Sequence, residues 1–396
     1  MVYEGPLVAS GHVLKPRTKS GRGVWKAVAN LDPDPVTGLR RRTTRGGFAT
    51  KAEAQRALRG LLTSLEQGSY VERTDLSLGE YIDRVWFPAH CQVIKESTAE
   101  NYWYVLAAHV LPDIGRVRLQ NLTAPMLTAF YGRLRTGDGP TGRPQSAKSV
   151  RNLHVILNKA LGDAVTWGYI TRNPAAGAKA PRPGDSSSQF RTWTADQVSA
   201  FLHHVAGTDC EALFTLPATT GMRRGEVLGV RNADIDLDRG ELSVVQSIVV
   251  VGGRPTVSTP KTSRSVRSVS LDPGTIAILR SHRIRTIERQ LADGVTAEGD
   301  LVFTDQHGKV IKPDWMSRTF RSLAEEAGLP HIRLHDLRHT WATLALRNGT
   351  HPKIVQERLG HANISTTLNT YSHVTAGMQA QAVEDIANLI LPARPR

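Results

Sequence analysis

The chain has 396 residues, with 50 Lys and Arg against 36 Asp and Glu, a formal charge of +14 and a pI near 10.1. This is too long for one ordinary domain, and 40% apolar residues can fill more than one core; the basic excess favours a polyanionic partner. Cys91 and Cys210 cannot make a disulfide framework and fit a reducing cytosol, no signal peptide is evident, and the most apolar stretch, residues 242–251, is about half a membrane span.

In chain order, residues 1–75 carry nearly twice as many basic as acidic residues. Residues 24–28 alternate like a strand, residues 32–38 are turn material, and Arg40, Arg41 and Arg42 open a second strand. Thr50-Lys51-Ala52-Glu53 has the form of a capping box and predicts a helix over residues 54–65. The expected product is a small sheet with one helix, able to lay arginines into a DNA groove. The plainer reading is a solvated basic face.

Residues 76–175 predict an all-helical domain. Segments 76–86, 101–110 (opened by a capping box at Ser97–Glu100), 124–134 and 149–167 are its helices. The last carries Val150, Leu153, Ile156, Leu157, Leu161 and Val165 on one stripe. Most of Tyr102, Trp103 and Tyr104 are expected in the core. Lys148 and Arg151, at the head of that helix, are candidate phosphate contacts. Residues 176–190, rich in Ala, Gly, Pro and Ser, read as a linker.

Residues 191–396 open with a capping box, Thr194-Ala195-Asp196-Gln197. Thr220-Gly221-Met222-Arg223-Arg224-Gly225-Glu226 follows an apolar helix, and its three-residue spacing makes Arg223 and Glu226 neighbours on a helical face. Residues 241–251, 256–258 and 267–271 are strand-like, with Lys261 at the hairpin turn between the last two. Helices are expected over 276–291 and 316–327, and a short strand over 301–303. The fold class is therefore multidomain α+β: a small N-terminal sheet with a helix, a helical middle, and a mainly helical third domain with a small antiparallel sheet.

The chemistry gathers near the end. His335-Asp336-Leu337-Arg338-His339 predicts a helix, Leu359-Gly360-His361 a helix stop followed by an imidazole, and Ser365 caps a short helix carrying Tyr371. A phenol with a pKa of about 10 is a poor nucleophile unless cations and hydrogen-bond donors hold an anionic electrophile before it. His335 and His339 also have the spacing of a zinc-protease helix. Asp336 is one methylene shorter than the glutamate of that motif, Arg338 would repel a dication, and neither His351 nor His361 is a persuasive third ligand. His339 reads as a structural residue.

Taken together, Thr-Gly-Met-Arg223-Arg-Gly-Glu226, Lys261, His335-x-x-Arg338, Leu-Gly-His361 and Tyr371 resemble the tyrosine recombinases, the phage-integrase family. The match is strong over about 190–375. The helical middle is similar to that family's core-site-binding domain, and the basic sheet more loosely to its arm-site-binding domain. The resemblance implies domains at 1–75, 76–175 and 191–396, and DNA cutting and rejoining by a site-specific recombinase. Arg223 and Arg338 would grip the scissile phosphate. His335 and His361 would hydrogen-bond it, with His335 assisting deprotonation of Tyr371. Tyr371 would form a 3′-phosphotyrosyl bond, Lys261 would protonate the leaving 5′-oxygen, and Glu226 would orient Arg223 or a histidine.

No metal or other cofactor is expected. The expected partners are double-stranded attachment-site DNA, three further copies of the chain, a host DNA-bending protein and an excision factor, in the cytoplasm of a bacterial host and with no membrane. The apolar residues Met378, Ala382, Val383, Ile386, Leu389 and Ile390 would cover their own domain or dock on a neighbouring copy. A type IB topoisomerase-like enzyme and a non-catalytic DNA-binding relative are the alternatives.

Overall fold

The computed structural model describes residues 10–15, 24–33, 37–182, 191–259 and 266–371, with isolated positions 383, 386, 387 and 390. The chain divides into two compact units, Met1–Asp185 and Ser186–Arg396. Lys261, residues 183–190 of the expected linker, and Met378, Ala382 and Leu389 lie outside the described residues.

The first unit begins with a three-stranded antiparallel sheet in sequential order: β1 (Gly11–Leu14), β2 (Trp25–Leu31) and β3 (Arg41–Phe48). Helix α1 (Lys51–Glu66) follows, with the expected Thr50/Glu53 capping box in place. A Cβ on Gly11 would meet Leu58 of α1 at 2.7 Å, so α1 covers the face of Gly11 and its partner Ala29. Period-two alternation puts Arg41, Thr43 and Arg45 on that face. His12, Lys26, Asn30, Arg42 and Thr44 share the opposite face.

The helical part begins with α2 (Leu78–Glu80), a π-helical stretch (Tyr81–Trp86) and α3 (Phe87–Cys91), continuous in sequence. A capping box of Ser77 and Glu80 opens the run. Helix α4 (Glu96–Val105) starts before the expected box at Ser97 and takes Lys95 as its N-cap, without a side-chain cap bond. Another π-helical stretch (Leu106–Val110) leads from it into α5 (Leu111–Asp113). Helix α6 (Ala124–Thr136) ends at Gly137, and α7 (Ala147–Thr166) is capped by Ser146. The α7 stripe is buried as predicted, except that Val165 is only half-buried. Tyr102 stacks on His90 and Trp103 meets Phe87, whereas Tyr104 is exposed. Ala175, Ala178 and Ala180 also pack onto this core. Lys148 and Arg151 are exposed on the first two turns of α7.

The second unit is a helical body with two small β elements. Helices α8 (Ala195–Val205) and α9 (Glu211–Thr220) lead to the short α10 (Arg224–Leu228). Strands β4 (Ile235–Asp236), β5 (Glu241–Val244) and β8 (Arg267–Ser270) form one antiparallel sheet; β6 (Ser247–Val251) and β7 (Arg254–Ser258) form a separate hairpin. The single strand expected over 241–251 is thus broken, and Gln246 at the break donates its side-chain amide to the Gly229 carbonyl. Residues 301–303 contribute only an isolated bridge, Arg231 to Leu301. Helices α11 (Pro273–Asp293), α12 (Pro313–Glu326), α13 (Leu334–Arg347) and α14 (Pro352–Leu359) complete the labelled elements, and residues 364–371 are helical.

Trp193, Phe201, Phe214 and Phe320 centre the main core, with ring centroids 5.1 to 5.8 Å apart. Phe201 is fully buried against α9 and α12 aromatics. Phe201→Ala is expected to cost about 3–5 kcal/mol. Urea denaturation of the two proteins measures it, and a loss below about 1 kcal/mol would show that the site collapses around the cavity.

Candidate active site

Helix α9 ends at Gly221, whose left-handed φ of 71° turns the chain; a Cβ there would also meet Leu359 at 2.8 Å. The next residues deliver Arg223. It is not on the α10 face, as simple helical spacing suggests, but is the extended N-cap residue before it (φ −73°, ψ 148°). Its backbone N–H donates to Glu226 Oε2 at 2.8 Å, and its guanidinium Nη1 to Oε1 at 2.8 Å. The carboxylate thus serves a free helix N–H and neutralises the side chain at once. The same three-residue arrangement recurs at Arg231/Asp234 and Arg333/Asp336. Asp336 is therefore engaged by Arg333 through both oxygens.

Glu226 has a second partner. Arg267, on β8 and only 8% exposed in its side chain, donates to both carboxylate oxygens at 3.1 and 2.8 Å. Its Nε donates to the Arg358 carbonyl at 2.8 Å. Burial alone would raise the Glu226 pKa, but the Arg267 hydrogen bonds and charge, then Arg223, hold it down at about 2. Glu226 therefore contacts Arg223 through both backbone and side chain, and its other partner is an arginine and not a histidine.

Arg338 is 3% exposed. It donates through Nη1 to the Gly221 carbonyl at 2.8 Å and through Nη2 to the Leu359 carbonyl at 2.6 Å. These carbonyls lie at the C-terminal ends of α9 and α14, where unpaired acceptors and the negative end of the helix dipole favour a cation. Burial and then the Arg223 charge disfavour the ionised form, while Glu226 favours it.

His335 lies in the first turn of α13 and is exposed. Partial desolvation and then Arg338 lower its pKa. His361 follows the αL stop at Gly360; its Nδ1 lies 2.8 Å from Thr367 Oγ1. Burial, then Arg338 and Arg223, bring its pKa to about 4, so it is a neutral hydrogen-bonding group at neutral pH. The following helix is capped by Asn363 and not Ser365: Asn363 Oδ1 accepts from the Ser365 N–H and hydroxyl, both at 3.0 Å.

Tyr371 is 1% exposed and packs with Ala342, Leu346, Val355 and Leu359. Burial raises its pKa to about 12, only partly opposed by Arg338. Its hydroxyl lies 2.9 Å from His339 Nδ1. Burial and then His335 bring the His339 pKa to about 4.

Arg223, Glu226, His335, Arg338, His361 and Tyr371 thus converge at the ends of α9, α13 and α14. Arg40, Arg41, Arg42, Lys148 and Arg151 belong to the other unit and are exposed. Sequence reasoning did not single out Arg267 and read His339 as structural. Arg267 shares a strand face with the core residue Val269, and an arginine in that register was the available signal. His339 was visible as the second histidine of a metal-like spacing. Among the described residues, no three His, Cys, Asp or Glu side chains could hold a metal ion. Paired guanidiniums, neutral imidazoles and a phenol make instead a site for an anionic ester.

Models of the phage integrase family match residues 191–378, of an arm DNA-binding domain residues 15–65, and of a phage integrase N-terminal SAM-like domain residues 78–135. The chain is 27% identical to a XerC-like tyrosine recombinase of Caldanaerobacter subterraneus, over 94% of this chain and 98% of that protein. It is 26% identical to the ICEBs1 integrase of Bacillus subtilis, over 94% and 99%. The fold is similar to the Tn1549 transposon integrase solved with transposon right-end DNA (TM-score 0.63, 20% identity, 78% of this chain and 99% of that one). It is also similar to a lambda integrase tetramer bound to a Holliday junction (TM-score 0.53, 18% identity, 90% and 94%).

Glu226→Gln would leave Arg267 buried without its counter-charge and is expected to cost about 3–5 kcal/mol at neutral pH. The Glu226 pKa lies below its ordinary 4.5, at about 2. The carboxylate's contribution is therefore complete above about pH 4.5 and is lost as pH falls toward 2. The gap between wild type and variant should close over that window in acid-denaturation curves; a gap independent of pH would argue against the charge as its cause.

Proposed function

The chain belongs to the phage integrase family and is a site-specific DNA recombinase, and from that premise we propose how its own residues divide the work. Tyr371 attacks the scissile phosphorus and forms the 3′-phosphotyrosyl bond as the bond to the 5′-oxygen breaks. Arg223 and Arg338 neutralise the nonbridging oxygens, where charge builds in the transition state. His335 and His361 donate hydrogen bonds to the same phosphate. Lys261 protonates the leaving oxygen, and Glu226 with Arg267 fixes Arg223. Rejoining is the reverse, with the protein–DNA ester conserving the energy of the broken bond.

The observation that carries this assignment is the convergence on one small volume of two arginines, two neutral histidines and a buried tyrosine. Burial pushes the Tyr371 phenol up to about 12, so the nucleophile has to lose its proton to a neighbouring group as it attacks. The topoisomerase-like alternative shares the chemistry; the match to an arm DNA-binding domain over residues 15–65 favours recombination.

The division of labour extends along the chain. Residues 1–75 bind arm-type DNA, 76–175 grip the core site with Lys148 and Arg151 on its phosphates, 176–190 link, and 191–396 cut. Four copies act together, as in the lambda integrase tetramer, with a host bending protein and an excision factor giving direction. No helix among the described residues is long and apolar enough to cross a membrane; the proposed place is the bacterial cytoplasm, on DNA.

The three arginines of the hairpin are not equivalent. Arg41 lies on the α1 side of the sheet and is paired with Glu72. Arg42 stands on the open face with His12, Lys26 and Asn30. Arg42→Ala should lower arm-DNA affinity and reduce the salt slope of binding by about 1, with a smaller effect for Arg41→Ala. Equal slopes for wild type and Arg42→Ala in salt-dependent binding curves would remove Arg42 from the interface.

Tyr371→Phe should bind attachment-site DNA nearly as well as wild type and form no covalent adduct on a nicked suicide substrate. Undiminished adduct would sink the assignment of the nucleophile.

A further inference from the structure

The resemblance to the family leaves deprotonation of Tyr371 with His335, but the side-chain geometry points elsewhere. His335 is exposed near the phosphate-binding arginines, and its ring lies edge-on to His339 with centroids 5.1 Å apart. His339, one turn further along α13, is the imidazole that meets the phenol, at 2.9 Å through Nδ1. Tyr371 is 1% exposed and walled by Leu346, Val355 and Leu359, so bulk water has little access to its proton.

We propose that His339 is a catalytic residue: its Nδ1 accepts the Tyr371 hydroxyl proton as the phenolic oxygen bonds to phosphorus. The bond from phosphorus to the 5′-oxygen breaks in the same displacement, and that oxygen takes its proton from the general acid, assigned above to Lys261. On rejoining, His339 returns the proton to the phenol. The inference rests on the recombinase reading and adds the group that switches its nucleophile on.

The surroundings of His339 suit the role. His335, Asp336 and Arg338 face it from its own helix, Arg333 from the preceding segment, and Tyr371 and His361 from the elements packed against α13. Desolvation and this positive majority keep the ring neutral in the free protein, and the tautomer with its proton on Nε2 leaves Nδ1 to accept from the phenol. A bound phosphate brings negative charge between Arg223 and Arg338 and offsets part of the field that suppresses protonation. The base therefore gains proton affinity when the electrophile arrives. Without DNA, the same contact holds the phenol protonated and buried.

The test is His339→Asn in the full-length protein, on a nicked suicide substrate. Asn can place an amide oxygen near the position of Nδ1 and keep the hydrogen bond, but it cannot take the proton. DNA binding and melting temperature should stay close to wild type while adduct formation slows about 10²-fold. A 5′-bridging phosphorothiolate, whose leaving group needs no protonation, should relieve Lys261→Ala but not His339→Asn. Adduct formation at the wild-type rate, or relief of His339→Asn by the phosphorothiolate, would overturn the proposal. Should Asn disturb the fold, His339→Gly with added imidazole gives the second arm. Recovery of adduct supports proton transfer at this position, and failure to recover in a folded, DNA-binding variant refutes it. Wild type and Tyr371→Phe run alongside: absence of adduct from wild type would instead sink the recombinase reading.

Discussion

The buried guanidinium of Arg338 is the contact on which the catalytic unit turns. It grows from α13 and donates to the last carbonyls of two other helices, at Gly221 after α9 and Leu359 of α14. Burying a charge costs several kcal/mol. Two hydrogen bonds from a charged donor, at about 1.5–3 kcal/mol each, and two helix C-termini are of the size needed to offset it. Each carbonyl also immediately precedes a site segment: Arg223 follows Gly221 by two residues, and His361 follows Leu359 by two. One side chain therefore sets the distance between three of the groups that would surround a phosphate.

Around this contact positive charge outweighs negative. Glu226 is the negative group in direct contact with Arg223 and Arg267, and it is shared between them, which leaves a net positive site. The imidazoles of His339 and His361 stay neutral beside that charge because ionising them would add repulsion to desolvation. Burial pushes the phenol of Tyr371 further above neutrality, to about 12. A phosphodiester entering the site would relieve repulsion and add electrophile in one step.

The N-terminal sheet follows a different logic. Alternation along β3 sends Arg41 toward α1 and an ion pair with Glu72, and Arg42 to the open face. Adjacent arginines in the sequence thus acquire unlike surroundings from the pleat alone.

Much of this was legible in the sequence because it is local. Capping boxes at Thr50 and Thr194, the α7 stripe and the glycine stop at Gly360 follow from short-range hydrogen bonding and helical period. The order Arg223, Glu226, Lys261, His335, Arg338, His361, Tyr371 likewise carried the resemblance to the tyrosine recombinases, because residue types, order and spacing are all read along the chain. What the sequence could not determine is non-local. The break of residues 241–251 into strands of two β elements depends on Gln246 reaching Gly229. The second partner of Glu226 comes from a strand 41 residues away. The contact between His339 and Tyr371 was not legible because only the packing of the last helix against α13 brings the two together. Spacing fixes which residues share a turn; which turns face each other is decided by the burial of the core between them.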